Sequence, residues 1–190
     1  MKKNKKEDSL AGLFRIFEEP KLKKKPVKLE IERKFLMKRV PRFLLVKGKQ
    51  PFNILHIVQY YVGNDKDITI RYRESKNAME EKSKYFLTKK KYSSFGTYEE
   101  DEKRISKAKF DLALKNAKEK TSITKTRMVY EYGGLKFEID RYQDLTLVIL
   151  EVELKNIKQK IKFPKFIKDC IIKEVTGMKE LSNRNLAEKC

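Results

Sequence analysis

The segment Leu29-Glu30-Ile31-Glu32-Arg33-Lys34-Phe35 places two carboxylates and an ammonium at a spacing of two residues. A β-strand sends successive side chains to opposite faces. Glu30, Glu32 and Lys34 would therefore share one face, and Ile31, Arg33 and Phe35 the other. Like charges two residues apart on one face repel. A divalent cation held by the two glutamates would relieve that repulsion, because hard cations take carboxylate oxygens. The lysine beside them would suit an anionic ligand that also touches the metal. A solvated strand face of mixed charge explains this one segment equally well.

The pattern recurs along the chain. Thr69, Arg71 and Arg73 alternate with Ile70 and Tyr72, and Thr88 shares a face with Lys90. Glu100 pairs in the same way with Glu102, Lys125 with Arg127, Glu138 with Asp140, and Glu151 with Glu153. A polar face on one strand is normally its solvent face. Many strands whose polar faces carry both signs of charge fit another arrangement. The charged faces would line a closed barrel, and the apolar faces would turn outward beneath helices. A barrel of about eight strands has room for one small ligand.

These residues carry a resemblance to a known family. Glu30, Glu32 and Lys34 match the Glu-x-Glu-x-Lys signature of the CYTH superfamily, the triphosphate tunnel metalloenzymes. Ile57-Val58-Gln59-Tyr60-Tyr61-Val62, Arg71 with Arg73, and Phe86-Leu87-Thr88-Lys89-Lys90 follow in that superfamily's order. So do Lys125 with Arg127, Phe137-Glu138-Ile139-Asp140, Glu151-Val152-Glu153-Leu154, and the stretch Ser182-Asn183-Arg184-Asn185-Leu186-Ala187. The likeness runs from about residue 28 to 187. Four positions depart from it. Phe137 stands for a tryptophan, Lys89 for an outward aliphatic residue, and Leu150 for a small one. Arg104 falls where an acid is common.

The resemblance implies an α+β fold: a closed antiparallel eight-stranded β-barrel with flanking helices. It implies phosphate contacts from Lys34, Arg71, Arg73, Lys90, Lys125 and Arg127. Mg²⁺ or Mn²⁺ would be held by Glu30, Glu32, Glu151 and Glu153, then Glu100 and Glu102, and then Asp140. Lys34, Glu30 and Glu32 are the expected catalytic residues. The implied activity is metal-dependent hydrolysis of a triphosphate, either inorganic tripolyphosphate or an organic or nucleoside triphosphate. Adenylate cyclase activity on ATP is the first alternative. Removal of the 5′ terminal phosphate of RNA and non-catalytic binding of polyphosphate or nucleotide are further ones.

Length and charge frame these readings. A chain of 190 residues suits one domain with a sizeable core. Lys and Arg number 47 against 27 Asp and Glu, a net charge of +20. Residues 1–28 supply +6 of that, leaving +14 for the rest. Such an excess favours anionic partners without choosing among nucleic acid, polyphosphate, nucleotides and an acidic membrane surface. A lysine-rich soluble surface is the plain alternative. The two cysteines, Cys170 and Cys190, are too few and too distant for a metal or redox motif, so reduced thiols in a cytoplasmic protein are expected. The sequence leaves oligomeric state open, a homodimer included.

Residues 1–26 read as a basic extension ahead of a tunnel domain over 27–190. Met1–Asp8 is too polar for a signal peptide. Leu10, Leu13, Phe14 and Phe17 have helical spacing behind a Ser9 cap, and would dock a partner or an acidic surface or simply form a tail. No segment has membrane-spanning length. The alternation predicts strands near 28–37, 55–62, 67–74, 84–91, 97–105, 123–131, 135–142 and 146–154. Arg39–Lys47 predicts a short helix or turn, and Lys107–Lys120 a helix with Phe110, Leu114 and Ala117 on one stripe. Gly133-Gly134 predicts a hairpin turn. Pro164 predicts the start of a helix burying Phe166, Ile167, Cys170 and Ile171 and ending at Gly177. His56, the sole histidine, sits in an apolar run and reads as a core or rim residue, which excludes a histidine triad. Glycine-rich phosphate and dinucleotide loops are absent.

Overall fold

Each alternating segment becomes a strand in a computed structural model of the chain, which describes residues 28–45, 52–63 and 67–190. The extension over 1–26 and the Lys47 end of the predicted 39–47 turn lie outside the described residues. The strands are β1 (Lys28–Met37), β2 (Phe52–Val62), β3 (Ile68–Asn77), β4 (Lys84–Ser94), β5 (Thr97–Ile105), β6 (Lys120–Tyr132), β7 (Leu135–Tyr142), β8 (Val148–Glu153) and β9 (Ile171–Glu174). Among the described residues three α-helices accompany them: α1 (Lys107–Asn116), α2 (Lys165–Lys168) and α3 (Asn183–Ala187).

The sheet order is β5-β4-β3-β2-β6-β7-β8-β1, all antiparallel, and pairing of β1 with β5 closes the ring. The expected eight-stranded barrel is therefore present. The closing seam is short, running from Lys28 opposite Glu100 to Ile31 opposite Thr97. Beyond it the edge of β1 would be bare. β9 takes that edge, with Phe35 opposite Glu174, so the backbone groups there find partners. Gly96 sits at the junction with φ +65°, and a Cβ there would lie 2.8 Å from the Glu32 carbonyl oxygen and 2.6 Å from Ile157 Cδ1. Only glycine suits both the conformation and the space.

The apolar faces turn outward, as the charge pattern requires. Phe35, Met37, Met128, Phe137, Ile139, Leu150 and Val152 form the main core outside the barrel wall, beneath Val40, Leu44, Ile167 and Cys170. Fully buried side chains of this size stabilise by roughly 1.5–3 kcal/mol each. On the other side, Tyr60, Tyr72 and Tyr85 gather around Phe110 of α1, with centroids 6.0, 6.3 and 4.9 Å away. Ser106 caps that helix by accepting from the Lys109 amide at 3.3 Å. A second cluster of Tyr61, Ile123, Tyr142 and Ile149 stops one end of the barrel under Leu186 and Ala187 of α3.

Two local expectations are corrected. The helix after Pro164 ends at Lys168, and the following Ile171-Ile172 enters β9, because β-branched residues suit the open edge of β1 better than a further helical turn. His56 faces outward and is exposed, so it is neither core nor rim. The Gly133-Gly134 hairpin forms as expected, with φ +59° and +74°. Cys170 is buried and Cys190 exposed, and both thiols are free. Among the described residues no helix is long and apolar enough to cross a membrane.

Candidate functional site

Inside the ring the charged faces meet around a cavity of about 170 Å³. Its lining includes Glu30, Glu32 and Lys34 from β1, Arg71 and Arg73 from β3, Lys90 from β4, and Glu100 and Glu102 from β5. Arg127 comes from β6, and Glu151 and Glu153 from β8. Eleven of the thirteen residues singled out by sequence thus line one cavity. Lys125 and Asp140 do not. Both are fully buried behind the lining, and the Lys125 ammonium donates to Asp140 at 2.5 Å.

Four further lining residues have no site role from the sequence: Lys28, Lys136, Glu138 and Asn183. Glu138 already belongs to the charged face with Asp140, and extending the alternation by one step at Glu30 and at Glu138 reaches Lys28 and Lys136. Asn183 had no such signal. It enters from α3, outside the strand pattern, and its carbonyl accepts from the Tyr142 hydroxyl at 2.6 Å.

The β6–β8 side is closely paired. Arg127 donates to both Asp140 oxygens at 2.6 Å, to Glu151 at 2.6 Å and to Glu138. Burial alone would lower the pKa of Arg127, but Asp140 and Glu138 hold it well above its usual value. Burial would raise Glu151, yet Lys34, Arg127 and Lys125 hold it well below the usual carboxylate range. Lys125 is the exception. Burial and the Arg127 charge push it down to about 8, with Asp140 opposing. Two cations share that one carboxylate.

Lys34 ties β1 to its neighbour β8, 2.7 Å from its cross-strand partner Glu151 and 3.2 Å from Glu32 on its own strand. Burial works against its charge, but Glu151 and Glu32 outweigh it and raise its pKa well above normal. Lys90 pairs with Glu30, 3.5 Å from Glu32 and 4.0 Å from Glu100. Arg71 and Arg73 both reach Glu102, at 3.3 and 2.9 Å. Burial and the neighbouring Arg71 lower the pKa of Arg73. Burial and Glu30 push the Glu100 carboxyl up to about 7. At the rim, Glu153 is half exposed between Lys28 at 3.8 Å and Lys136 at 3.6 Å. Arg104 lies exposed beyond Glu102 and does not line the cavity.

A closed eight-stranded antiparallel ring lined by these charges in this order decides the architecture. The chain folds as the closed, charge-lined barrel that the CYTH resemblance leads one to expect. No family model matches the sequence, and no curated protein matches it. Solved structures do. The hypothetical protein NE1496 is 25% identical, with 83% of this chain and 97% of that chain covered and a TM-score of 0.51. A conserved hypothetical protein from Pyrococcus furiosus is 20% identical over 67% of this chain and 79% of its own, with a TM-score of 0.52. PH1012 from Pyrococcus horikoshii OT3 is 21% identical over 68% and 81%, with a TM-score of 0.50.

The CYTH resemblance implies a divalent cation, and the β1 and β5 carboxylates fit one. Glu32 Oε1 and Glu100 Oε2 are buried without a hydrogen-bond partner. Burial and the facing Glu30 raise Glu100 to about 7, and a hard cation held by these carboxylates would relieve both. Among the described residues no three acidic, histidine or cysteine side chains are already gathered at metal-binding geometry. The Lys90 ammonium stands among Glu30, Glu32 and Glu100 instead. Glu151 is engaged by Lys34 and Arg127.

Proposed function

We propose that this chain is a metal-dependent phosphohydrolase that cleaves a triphosphate held in the barrel. The charge balance of the cavity carries the reading. Seven basic residues line it (Lys28, Lys34, Arg71, Arg73, Lys90, Arg127, Lys136) against seven acidic ones (Glu30, Glu32, Glu100, Glu102, Glu138, Glu151, Glu153). A water-filled cleft has no need of so many opposed charges, and desolvated pairs are poor stabilisers. They suit a ligand that is itself strongly charged. Arg71 and Arg73 present planar donor forks, which match phosphate oxygens two at a time. A triphosphate entering the cavity would take those donors from Glu102, and Lys34 and Lys90 would meet the chain further in.

A balanced lining cannot by itself neutralise about four negative charges, so the anion needs an accompanying cation. Glu30, Glu32 and Glu100 are the residues that would hold Mg²⁺ or Mn²⁺. When bound, the metal supplies charge neutralisation at the scissile phosphate and a polarised water. The protein supplies orientation: Lys34 is fixed between Glu151 and Glu32, and its pKa keeps it cationic at any working pH. Glu151 and Arg127 in turn hold Lys34 in place.

The test is to incubate the protein with tripolyphosphate or ATP and Mg²⁺ or Mn²⁺ and to separate the products. Orthophosphate is expected. Cyclic AMP with pyrophosphate would make it an adenylate cyclase instead. Binding without turnover under either metal would reduce it to a polyphosphate or nucleotide binder.

A further inference from the structure

The cavity uses only the inward faces of the strands. Outside, a line of aromatic rings crosses β6 and its cover. Phe43 lies 4.8 Å from Phe166, Phe166 5.3 Å from Tyr130, and Tyr130 6.4 Å from Tyr132, centroid to centroid. The middle rings are half-buried. The end rings are not: Phe43 is 41% exposed and Tyr132 37%. An aromatic row that only filled the core would have no reason to leave both ends open to water.

Cations stand on two of the segments that carry these rings and on the 160–163 stretch, which packs on the same outer core as Phe166 and Tyr130. Lys160 and Lys162 alternate with Ile161 and Phe163, which pack on the outer core, so the ammonium groups are exposed. Lys165 and Lys168 flank Phe166 on α2, Arg42 precedes Phe43, and all three are exposed. Asp169 answers this group with a carboxylate, 2.9 Å from Lys165. That pair is open to solvent, so it does little to cancel the field.

We propose that this outer face docks single-stranded nucleic acid. Cations alone would fit any polyanion, and rings alone any apolar surface. Exposed ring faces set among flexible cations match a strand that alternates phosphate with base, because bases stack on aromatic side chains while phosphates take the lysines. An anionic membrane asks for apolar groups that project past the charges. Here the central rings are set into the wall, Phe166 and Tyr130 meeting edge to face at 80°. This surface is separate from the triphosphate site, so it is tested with an RNA that has no triphosphate.

The experiment is fluorescence anisotropy with a 5′-hydroxyl RNA of about ten nucleotides, within the span one such surface covers, at stepped salt. Binding that weakens with salt is expected. Lys160→Glu with Lys162→Glu should weaken it at least tenfold and flatten the salt slope by about 1.4, two phosphate contacts at about 0.7 each. Tyr132→Ala should weaken it about fivefold or more without changing the slope. Lys89→Glu with Lys91→Glu, exposed on the outside of β4, is the control for generic charge and should change it less than twofold. Melting temperature and tripolyphosphate turnover should stay at wild-type values in all three variants. If a charge reversal lowers melting, Lys160→Gln with Lys162→Gln replaces it. Equal losses in the control, no RNA binding by the wild type, or tighter binding to phosphatidylserine vesicles than to RNA would each overturn the proposal.

Discussion

The two walls of the cavity are made of the same residue types and are built differently. On β6, β7 and β8, Lys125, Arg127, Glu138, Asp140 and Glu151 satisfy one another at close range. On β1, β3 and β5, four buried polar atoms have no hydrogen-bond partner: Glu32 Oε1, Arg71 Nε, Arg73 Nε and Glu100 Oε2. An unpaired buried group costs roughly 1–3 kcal/mol. Glu32 Oε1 still meets the Lys34 ammonium at 3.2 Å, so three such atoms on this wall, and none among the described residues of the other, separate a wall that holds the barrel together from one prepared for something else. Charge density does not distinguish the two walls. Unmet hydrogen bonds do.

The largest expected effect is on the paired wall. Asp140→Ala removes the carboxylate shared by Lys125 and Arg127 and leaves two buried cations without it. Loss of one partner from a buried ion pair costs about 3–5 kcal/mol. Urea denaturation should show a loss of that size. A loss below about 1 kcal/mol, the value of a surface pair, would erase the distinction between the walls.

Next come the residues facing the ligand. Lys34→Ala should lower turnover about a hundredfold or more, because a charge positioned against a developing anion contributes on that scale, while the barrel stays folded. Arg71→Ala should mainly raise KM for tripolyphosphate, about tenfold, and shift urea stability by less than the Asp140 change. Steady-state kinetics and denaturation of the same preparations check both. If Arg71→Ala destabilised the protein as much as Asp140→Ala, the open wall would be structural too.

The barrel was legible in the sequence because both of its determinants are local. Period two puts charges on one face, and the apolar partners on the other face form the outer core. The pairing of charges was not legible. Lys125 and Asp140 obey the same alternation as Lys90 and Glu151, yet they lie behind the cavity. Which inward residue reaches the lumen depends on strand stagger and on what stops the barrel end, here Tyr142 and α3. The same limit hid Asn183, which arrives from a helix. It also hid β9, whose reason to exist is the bare edge left where β5 ends, a feature of register and not of composition. The resemblance implies metal ligation by Glu151 and Glu153, and spacing alone does not show that Glu151 meets two cations while Glu153 stands at the rim.

The smallest effect is also the sharpest test of the open wall. Glu100 titrates at about 7 in the folded protein against 4.5 for an ordinary glutamate, through burial and the facing Glu30. Between those values the folded state holds a proton that the unfolded chain has released. Stability therefore falls as pH rises from about 4.5 to 7, and the penalty stays in place above that window. In metal-free buffer, the melting temperature of the wild type should decline across this range by a few degrees. Glu100→Gln, which carries no charge to bury, should flatten the decline and melt higher than wild type at pH 8 but not at pH 5. Mg²⁺ or Mn²⁺ at pH 8 should then raise the melting temperature of the wild type more than that of the variant, because the cation relieves in one protein what the substitution has already removed in the other. Parallel curves for the two proteins, with and without metal, would mean that Glu100 is not under strain and that the open wall is not a cation site.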